Sequence, residues 1–150
     1  MRILLKTPVE QEWRAVKAGF NDDLFLQLNP PIPKVKLLQF DGSKKGDTVS
    51  MELNFILWKD QWTSIITSDS ENQGGFDFVD EGKRLPFPFK KWRHHHKVEA
   101  QGSGSVIIDD IQYRTSLYIM DYLIYPLLYL QFLYRKPVYK KVFGLGNAKK

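Results

Sequence analysis

Two histidines and an aspartate are the residues of this chain whose types and spacing could do chemistry. His94 and His96 are two positions apart in the run WRHHHKVE, and Asp109 lies in the following run VIIDDIQY. Successive side chains of a β-strand point to opposite faces, so His94 and His96 share a face if residues 92–99 form a strand. The sequence QGSG at residues 101–104 predicts a tight turn between two paired strands.

A two-residue turn at Gly102-Ser103 would set the register of this hairpin. Its cross-strand pairs share one face, and they are Trp92 with Tyr113, His94 with Ile111, His96 with Asp109 and Val98 with Ile107. The opposite face is charged, with Arg93, His95, Lys97, Glu99, Asp110, Gln112 and Arg114. The apolar set is therefore predicted to be covered, and a slip of one residue would expose it. His95 is predicted to point to solvent.

An inward His–Asp pair has three interpretations. Asp109 could orient His96 as a general acid or base, or His94, His96 and Asp109 could bind a metal ion. Alternatively, the pair satisfies its own hydrogen bonds inside the protein or orients a ligand. We favour this last interpretation, so neither a metal ion nor a cofactor is expected. His96 and Asp109 are the catalytic candidates if the protein is an enzyme.

The composition favours one domain with a large aromatic core. The chain has 150 residues, 43% of them hydrophobic and 14% aromatic, and it has no cysteine. An excess of aromatic rings can line a cavity as well as fill a core. The absence of cysteine excludes disulfides, thiolate metal sites and a cysteine nucleophile, and it suits a reducing cytoplasm. The N-terminal sequence MRILLK is interrupted by charge too early for a secretory signal.

The net charge of +5 is concentrated in two acid-free groups. One is C-terminal and comprises Arg135, Lys136, Lys140, Lys141, Lys149 and Lys150; the other comprises Lys83, Arg84, Lys90, Lys91, Arg93 and Lys97. Such groups can face phosphates or anionic lipid, although a solvated surface is the interpretation we favour. Nucleic-acid binding is not expected, because Trp92 is predicted to face inward. Weak peripheral membrane contact through the basic C-terminus remains a hypothesis.

Residues 117–134, LYIMDYLIYPLLYLQFLY, resemble a marginal membrane span. Asp121, the dispersed tyrosines and Pro126 argue against a span. A helix that is apolar nearly all round is otherwise a buried one. The sequence therefore predicts a buried C-terminal helix.

The remaining pattern predicts an α+β fold. A strand at residues 2–6 precedes a helix that is capped by Thr7, begins at Pro8 and ends near Gly19. A second short helix is predicted to end at Leu28. Strands are predicted at 35–40, 49–55, 58–67, 75–80, 92–99 and 106–113, with a loop over 81–91. These strands form an antiparallel sheet that the C-terminal helix covers.

This order of elements, with FPFKKWRHHHKVE, a glycine turn and VIIDDIQY, resembles the SRPBCC (START-like, birch-pollen-allergen-like) superfamily. The motif is similar to a bacterial ligand-binding branch at Pro88, Phe89, Trp92, His94, His96, Asp109 and Tyr113, and Trp62 also fits. The resemblance implies a helix-grip fold, in which a curved antiparallel sheet of about seven strands surrounds a long C-terminal helix, with two short helices after strand 1. It implies a single domain over residues 1–143 and leaves 144–150 as a disordered basic tail. The loop over 82–87 is longer than this branch usually has.

The resemblance implies binding or carriage of an apolar or amphipathic small molecule in a cavity between sheet and helix, without catalysis. The walls would be Trp62, Phe76, Phe78, Phe89, Trp92, Ile111, Tyr113, Tyr122 and Tyr129, and the orienting polar groups would be His94, His96 and Asp109. One alternative is a cyclase- or dehydratase-like enzyme that uses the His96–Asp109 pair. Another is a protein- or membrane-surface interaction module. The fold by itself does not choose among them.

Overall fold

A curved antiparallel sheet of seven strands is the framework of the protein. The computed structural model describes residues 1–145, and its strands follow the order β1-β7-β6-β5-β4-β3-β2. The elements are β1 (Arg2–Val9), α1 (Trp13–Ala18), α2 (Asp22–Gln27), β2 (Lys34–Phe40), β3 (Thr48–Asn54), β4 (Lys59–Asn72), β5 (Gly75–Arg84), β6 (Phe89–Gln101), β7 (Gly104–Thr115) and α3 (Tyr118–Val142). Helix α3 packs on β1 and β7. The predicted helix-grip architecture is confirmed.

The β6–β7 hairpin has the predicted register. Gln101 pairs with Gly104, and the pairs continue along the ladder through His96 with Asp109 to Trp92 with Tyr113. Gly102 has a φ of 58°, a left-handed conformation that favours glycine at this turn. Local turn chemistry and the alternation of apolar side chains thus agree on one pairing.

The start of the chain differs from the prediction. Strand β1 continues through Thr7 and Pro8 to Val9, and α1 begins only at Trp13. Pro8 pairs with Val106 in the ladder, which an edge strand tolerates because one side of its backbone needs no partner. Thr7 is a buried strand residue and not a helix cap. Pairing with β7 therefore outweighs the local preference for a helix start.

The strands around the predicted 81–91 loop are longer than expected. Strand β4 extends to Asn72, β5 extends to Arg84, and β6 starts at Phe89, so only residues 85–88 connect β5 to β6. Cross-strand pairs such as Thr63 with Arg84 supply the backbone hydrogen bonds of this extension. Pro86 and Pro88 lie in the turn, whereas Gly82 is a residue of β5, so neither residue type ends the strands where the sequence predicts a loop.

Helix α3 is longer and more exposed than predicted. It includes both Pro126 and Pro137, and its buried residues are Asp121, Leu128, Phe132 and Tyr139. Leu127 and Leu130 on its outer face are 68% and 60% exposed. The prediction of a helix buried on all sides is wrong, because only one stripe of α3 contacts the sheet. Within residues 1–145, no helix has the length and apolar character needed to span a membrane.

Two apolar clusters lie along the helix–sheet interface. The first core cluster joins α1, α2 and the end of α3 to the sheet, and its buried members include Trp13, Val16, Leu24, Phe76, Val98, Ile107, Tyr139 and Phe143. The second core cluster lies under the first half of α3 and consists of Ile3, Leu5, Trp92, Ile111, Tyr113, Leu128 and Phe132. Polar residues separate the two clusters.

Candidate functional site

A group of polar side chains lies between the two core clusters. We call it the polar cluster, and it consists of Asp80, His94, His96, Asp109, Arg135 and Tyr139. On β6 the histidines lie between Trp92 and Val98, members of the second and first core clusters. On α3, Arg135 follows Phe132 by one turn of the helix. The same strand and helix periodicities that build the apolar core thus place these polar groups inside it.

Asp109 links both histidines to the helix. Its Oδ1 is hydrogen-bonded to His94 Nε2 at 2.9 Å and lies 3.5 Å from His96 Nδ1. A guanidinium nitrogen of Arg135 lies 3.9 Å from the same oxygen. Asp109 is 1% exposed, so this buried carboxylate is balanced by a cation from α3.

Asp80 faces the histidines from β5. Its Oδ2 is hydrogen-bonded to His96 Nε2 at 3.3 Å and lies 3.6 Å from His94 Nδ1. Its Oδ1 accepts a hydrogen bond from the indole N–H of Trp92 at 3.2 Å. The centres of the two imidazole rings are 3.6 Å apart. Asp80 and Asp109 therefore flank two closely packed imidazoles whose planes are tilted by 37°.

The surroundings set the charges of the cluster. Burial, assisted by the neighbouring His96, lowers the pKa of His94 to about 4 despite the attraction of both aspartates. Burial acts to raise the pKa of Asp109, but the hydrogen bond from His94 and nearby positive charge lower it to about 2. The pKa of Asp80 is also lowered, because hydrogen bonds from His96 and Trp92 outweigh its burial. At neutral pH, His94 is neutral while both aspartates are ionised.

Three atoms of the polar cluster are buried without a hydrogen-bond partner among residues 1–145. They are His96 Nδ1, Arg135 Nε and the Tyr139 hydroxyl. A buried unpaired polar atom costs about 1–3 kcal/mol, so native proteins seldom retain several together without a use. The clustering of these three atoms is a local signal of binding.

The predicted polar trio His94, His96 and Asp109 meets at this site. Phe78 stacks on His96 with ring centres 4.5 Å apart, and Trp92 packs on Phe132 at 6.0 Å. Ile111 is fully buried in the second core cluster. These apolar residues and the polar trio are thus brought together, as the hairpin register predicts.

The other predicted wall residues are more scattered. Trp62 and Phe89 pack around Trp92 at 4.8 and 6.1 Å, and Tyr113 contacts Phe89. Phe76 instead belongs to the first core cluster. Tyr122 and Tyr129 of α3 point away from the sheet, and their exposed fractions are 50% and 37%. Neither of these tyrosines lines the interface.

Sequence reasoning missed Asp80, Arg135 and Tyr139. Asp80 is two residues beyond Phe78 on β5, and Arg135 and Tyr139 continue the helical spacing of Leu128 and Phe132. Strand alternation and helical periodicity were the available signals. His95 is also less isolated than predicted, since it is half-buried and hydrogen-bonded to Asp77 at 2.7 Å.

Two pockets of residues 1–145 lie beside the β4–β5 turn at Asn72 and Gly74 and between Pro8 and Lys140. Neither of these two pockets lies between α3 and the sheet, where a cavity is expected. The second core cluster and the polar cluster lie at that interface. A ligand bound there would contact their side chains.

The C-terminal basic group is also divided. Arg135 is turned inward, with its side chain 11% exposed, so it is not part of a basic surface.

The first residues of the predicted tail make contacts with the start of the chain. Leu145 donates its N–H to Glu10, and the Gly144 carbonyl accepts a hydrogen bond from Gln11. Residues 146–150, which include most of the predicted disordered tail, lie outside the described residues.

These features match the helix-grip fold of several solved structures. A START superfamily protein from Mycobacterium smegmatis has a TM-score of 0.65 at 11% identity, over 94% of this chain and 98% of that one. Ginseng major latex-like protein 151 from Panax ginseng has a TM-score of 0.58 at 13% identity, over 89% and 95% of the two chains. The di-domain ARO/CYC StfQ from the steffimycin biosynthetic pathway has a TM-score of 0.69 at 10% identity, and 50% of its length is covered by 95% of this chain. Neither a family model nor a curated protein matches the sequence. At these identities the likeness establishes the fold.

Proposed function

We propose that this protein binds an amphipathic small molecule between α3 and the sheet, with the polar group of the ligand at the polar cluster. The observation that supports this function is the set of three unpartnered buried atoms on His96, Arg135 and Tyr139. They lie where two apolar clusters meet, an arrangement typical of small-molecule sites, which are mostly apolar with a few polar groups.

The available atoms define the polar end of the ligand. Arg135 Nε and the Tyr139 hydroxyl can both donate hydrogen bonds. Asp80 and Asp109 are ionised beside them, so an anionic group would be repelled. A neutral acceptor, such as a carbonyl or an alcohol oxygen, satisfies the donors without adding negative charge.

The apolar body of the ligand would lie against the second core cluster. Trp92 and Phe132 are buried there, while Trp62 and Phe89 are only half-buried at its margin. These half-buried rings are the side chains that a ligand would displace first, because they have fewer contacts to lose. Entry is therefore proposed at the margin formed by Trp62 and Phe89.

Native mass spectrometry of the protein purified from its own host tests this function directly. A bound neutral molecule should be released on denaturation, and its affinity should fall about ten-fold in Tyr139→Phe, the loss expected for one hydrogen bond. His95→Gln, on the opposite face of the sheet, should leave the affinity unchanged. No co-purifying mass and no saturable binding of a neutral aromatic ketone would contradict the proposal.

An acid–base enzyme is the second candidate. His96 Nδ1 has no hydrogen-bond partner and lies 3.5 Å from the ionised Asp109, an arrangement that suits proton transfer. Among the structural neighbours, StfQ is described as an ARO/CYC protein. The variant His96→Gln separates the two functions: a binding protein would keep its affinity within about ten-fold, while an acid–base enzyme would lose about 10²–10⁴ in rate.

A further inference from the structure

The polar cluster contains three donor atoms arranged around one point. Asp80 Oδ2 lies 3.3 Å from His96 Nε2 and 3.6 Å from His94 Nδ1. One oxygen and two imidazole nitrogens from these residues lie within 4.8 Å of one another. Ligand atoms around a tetrahedral Zn²⁺ at about 2.0–2.1 Å are about 3.3 Å apart. The distances from Asp80 Oδ2 to the two imidazole nitrogens are therefore close to the ligand–ligand spacing of such a site.

The groups around these donors match the second shell of a metal site. Asp109 is hydrogen-bonded to the far nitrogen of His94, Nε2, which leaves Nδ1 free to direct its lone pair toward Asp80. The indole N–H of Trp92 donates a hydrogen bond to the other oxygen of Asp80, Oδ1. Metal-binding histidines usually donate their second ring N–H to a carboxylate, and metal-binding carboxylates are themselves hydrogen-bonded. Both outer contacts exist here.

The donor types and the access of the site also suit a metal cation. The side chains of Asp80 and His96 are 14% and 12% exposed, so the site has an edge that ions can reach. Two nitrogens and one oxygen favour a divalent transition metal over Mg²⁺ or Ca²⁺, which prefer oxygen ligands.

We propose that Asp80, His94 and His96 form a binding site for one divalent transition-metal ion, with Zn²⁺ as the best match and a fourth position open. The sequence offers a metal site at His94, His96 and Asp109 only as an alternative, and no metal ion is expected from it; in the structure Asp80 replaces Asp109 as the third ligand. Asp109 is instead a positioning residue that orients His94. The inference does not depend on small-molecule binding.

Calorimetric titration of the chelator-treated protein with ZnCl₂ tests the site. One ion should bind per chain, and Asp80→Asn and His96→Gln should each weaken binding at least ten-fold, while Asp109→Asn weakens it about 10–100-fold. His95→Gln is the matched control and should leave the affinity unchanged. Co²⁺ should give the visible absorption bands of a four-coordinate site in the wild type and in His95→Gln, and weaker bands in Asp80→Asn and His96→Gln.

The folding of each variant should be checked by circular dichroism without metal. Folded variants that bind Zn²⁺ as tightly as the wild type would overturn the site, as would a wild-type protein that binds no Zn²⁺. Loss of Zn²⁺ binding in His95→Gln alone would also overturn it, because binding would then lie on the outer face of the sheet.

A separate observation concerns one end of the sheet. The β3–β4 connection, the β5–β6 connection and the start of α3 all lie at this end, because antiparallel strands alternate in direction. Ser116 at the start of α3 donates its N–H to Pro88 in the β5–β6 connection. Large apolar side chains are exposed here, and they are Ile56 (78%), Leu57 (87%), Trp58 (57%), Phe87 (78%), Tyr118 (64%) and Ile119 (64%). We call this set the apolar tip.

Basic residues surround the apolar tip. The neighbouring segments 54–60, 83–91 and 114–119 contain Lys59, Lys83, Arg84, Lys90, Lys91 and Arg114, and one acid, Asp60. Lys59 pairs with Glu52 and Arg114 with Asp121, so the net positive charge comes from Lys83, Arg84, Lys90 and Lys91. A second copy of this surface would meet the same positive charge, which disfavours self-association through the tip. An anionic lipid surface offers both an apolar layer and negative charge.

We propose that the apolar tip docks on anionic membrane surfaces. Co-sedimentation with phosphatidylcholine vesicles, with and without phosphatidylserine, tests this. Binding should require phosphatidylserine and should weaken at least ten-fold in Leu57→Ser/Trp58→Ser, since two exposed apolar side chains are lost. Leu26→Ser on α2 removes an apolar side chain that is 45% exposed and is the control. Absence of vesicle binding, equal losses in control and variant, or concentration-dependent dimers abolished by the double variant would each overturn the proposal.

Discussion

Asp109 lies directly opposite His96 in the β6–β7 ladder, but its shortest hydrogen bond is to His94, one pair further along. His96 instead reaches across to Asp80 on β5. The two aspartates thus divide the two imidazoles between them, and the far nitrogen of His96 remains unpartnered within residues 1–145. This division leaves a polar atom available inside the protein.

Replacement of Asp109 should be strongly destabilising. Asp109→Asn removes the buried charge that faces Arg135, and breaking a buried charge pair costs about 3–5 kcal/mol. Asp110→Asn is the matched control, because Asp110 is on the other face of β7 and pairs with Arg2, whose side chain is 60% exposed. The control should have a much smaller effect on the free energy of unfolding in urea. Equal effects would contradict a buried role for Asp109.

The two buried tyrosine hydroxyls should behave differently. The Tyr113 hydroxyl donates to the Asp121 carbonyl at 2.6 Å, so Tyr113→Phe should cost about 0.5–1.5 kcal/mol. The Tyr139 hydroxyl makes no hydrogen bond of normal geometry within the described residues, and Asp109 and Arg135 interact with it, so Tyr139→Phe without ligand should cost less than Tyr113→Phe. Thermal unfolding of the ligand-free variants measures both. A large destabilisation by Tyr139→Phe would show that its hydroxyl already has a partner.

Phe132 should be a main packing residue of α3. It is 2% exposed and contacts both Trp92 and His94, so Phe132→Ala should lower the free energy of unfolding by about 3–5 kcal/mol. Leu130→Ala, on the exposed side of the same helix, should change it by less than about 0.5 kcal/mol. Urea denaturation distinguishes the two variants. Similar losses would mean that the outer face of α3 is covered in solution.

Asp121 should make the free energy of unfolding depend on pH in the acid range. Burial acts to raise the pKa of its carboxyl, but hydrogen bonds from the Thr115 N–H and hydroxyl and the charge of Arg114 lower the pKa below 3.8. A folded-state pKa below the unfolded value adds stability that is present above about pH 4 and is lost as the pH falls. Asp121→Asn should flatten this part of the stability–pH curve.

Asp22→Asn serves as the control for that measurement, because Asp22 lies on the exposed surface of α2. Its stability–pH curve should follow that of the wild type. If Asp121→Asn also follows the wild type below pH 4, the carboxylate is not the group that links stability to acid.

The sequence by itself determined the hairpin and the fold class. QGSG and the alternation from Trp92 to Val98 allow one register, because any other buries charge and exposes apolar side chains. The order of strands and helices, together with the resemblance, was sufficient for the helix-grip architecture. These features depend on local turn chemistry and side-chain period, which a sequence displays directly.

Only the tertiary structure decided which groups meet between the sheet and the helix. Asp80 and Arg135 are 55 residues apart, and no local pattern states that β5 and α3 bring them to the same pair of histidines. Nor does helical periodicity reveal that α3 leaves Leu127 and Leu130 exposed. The spacing of apolar residues along a helix is the same whether a given face contacts protein or solvent. Packing between distant segments decides both, and a single sequence records that packing only indirectly.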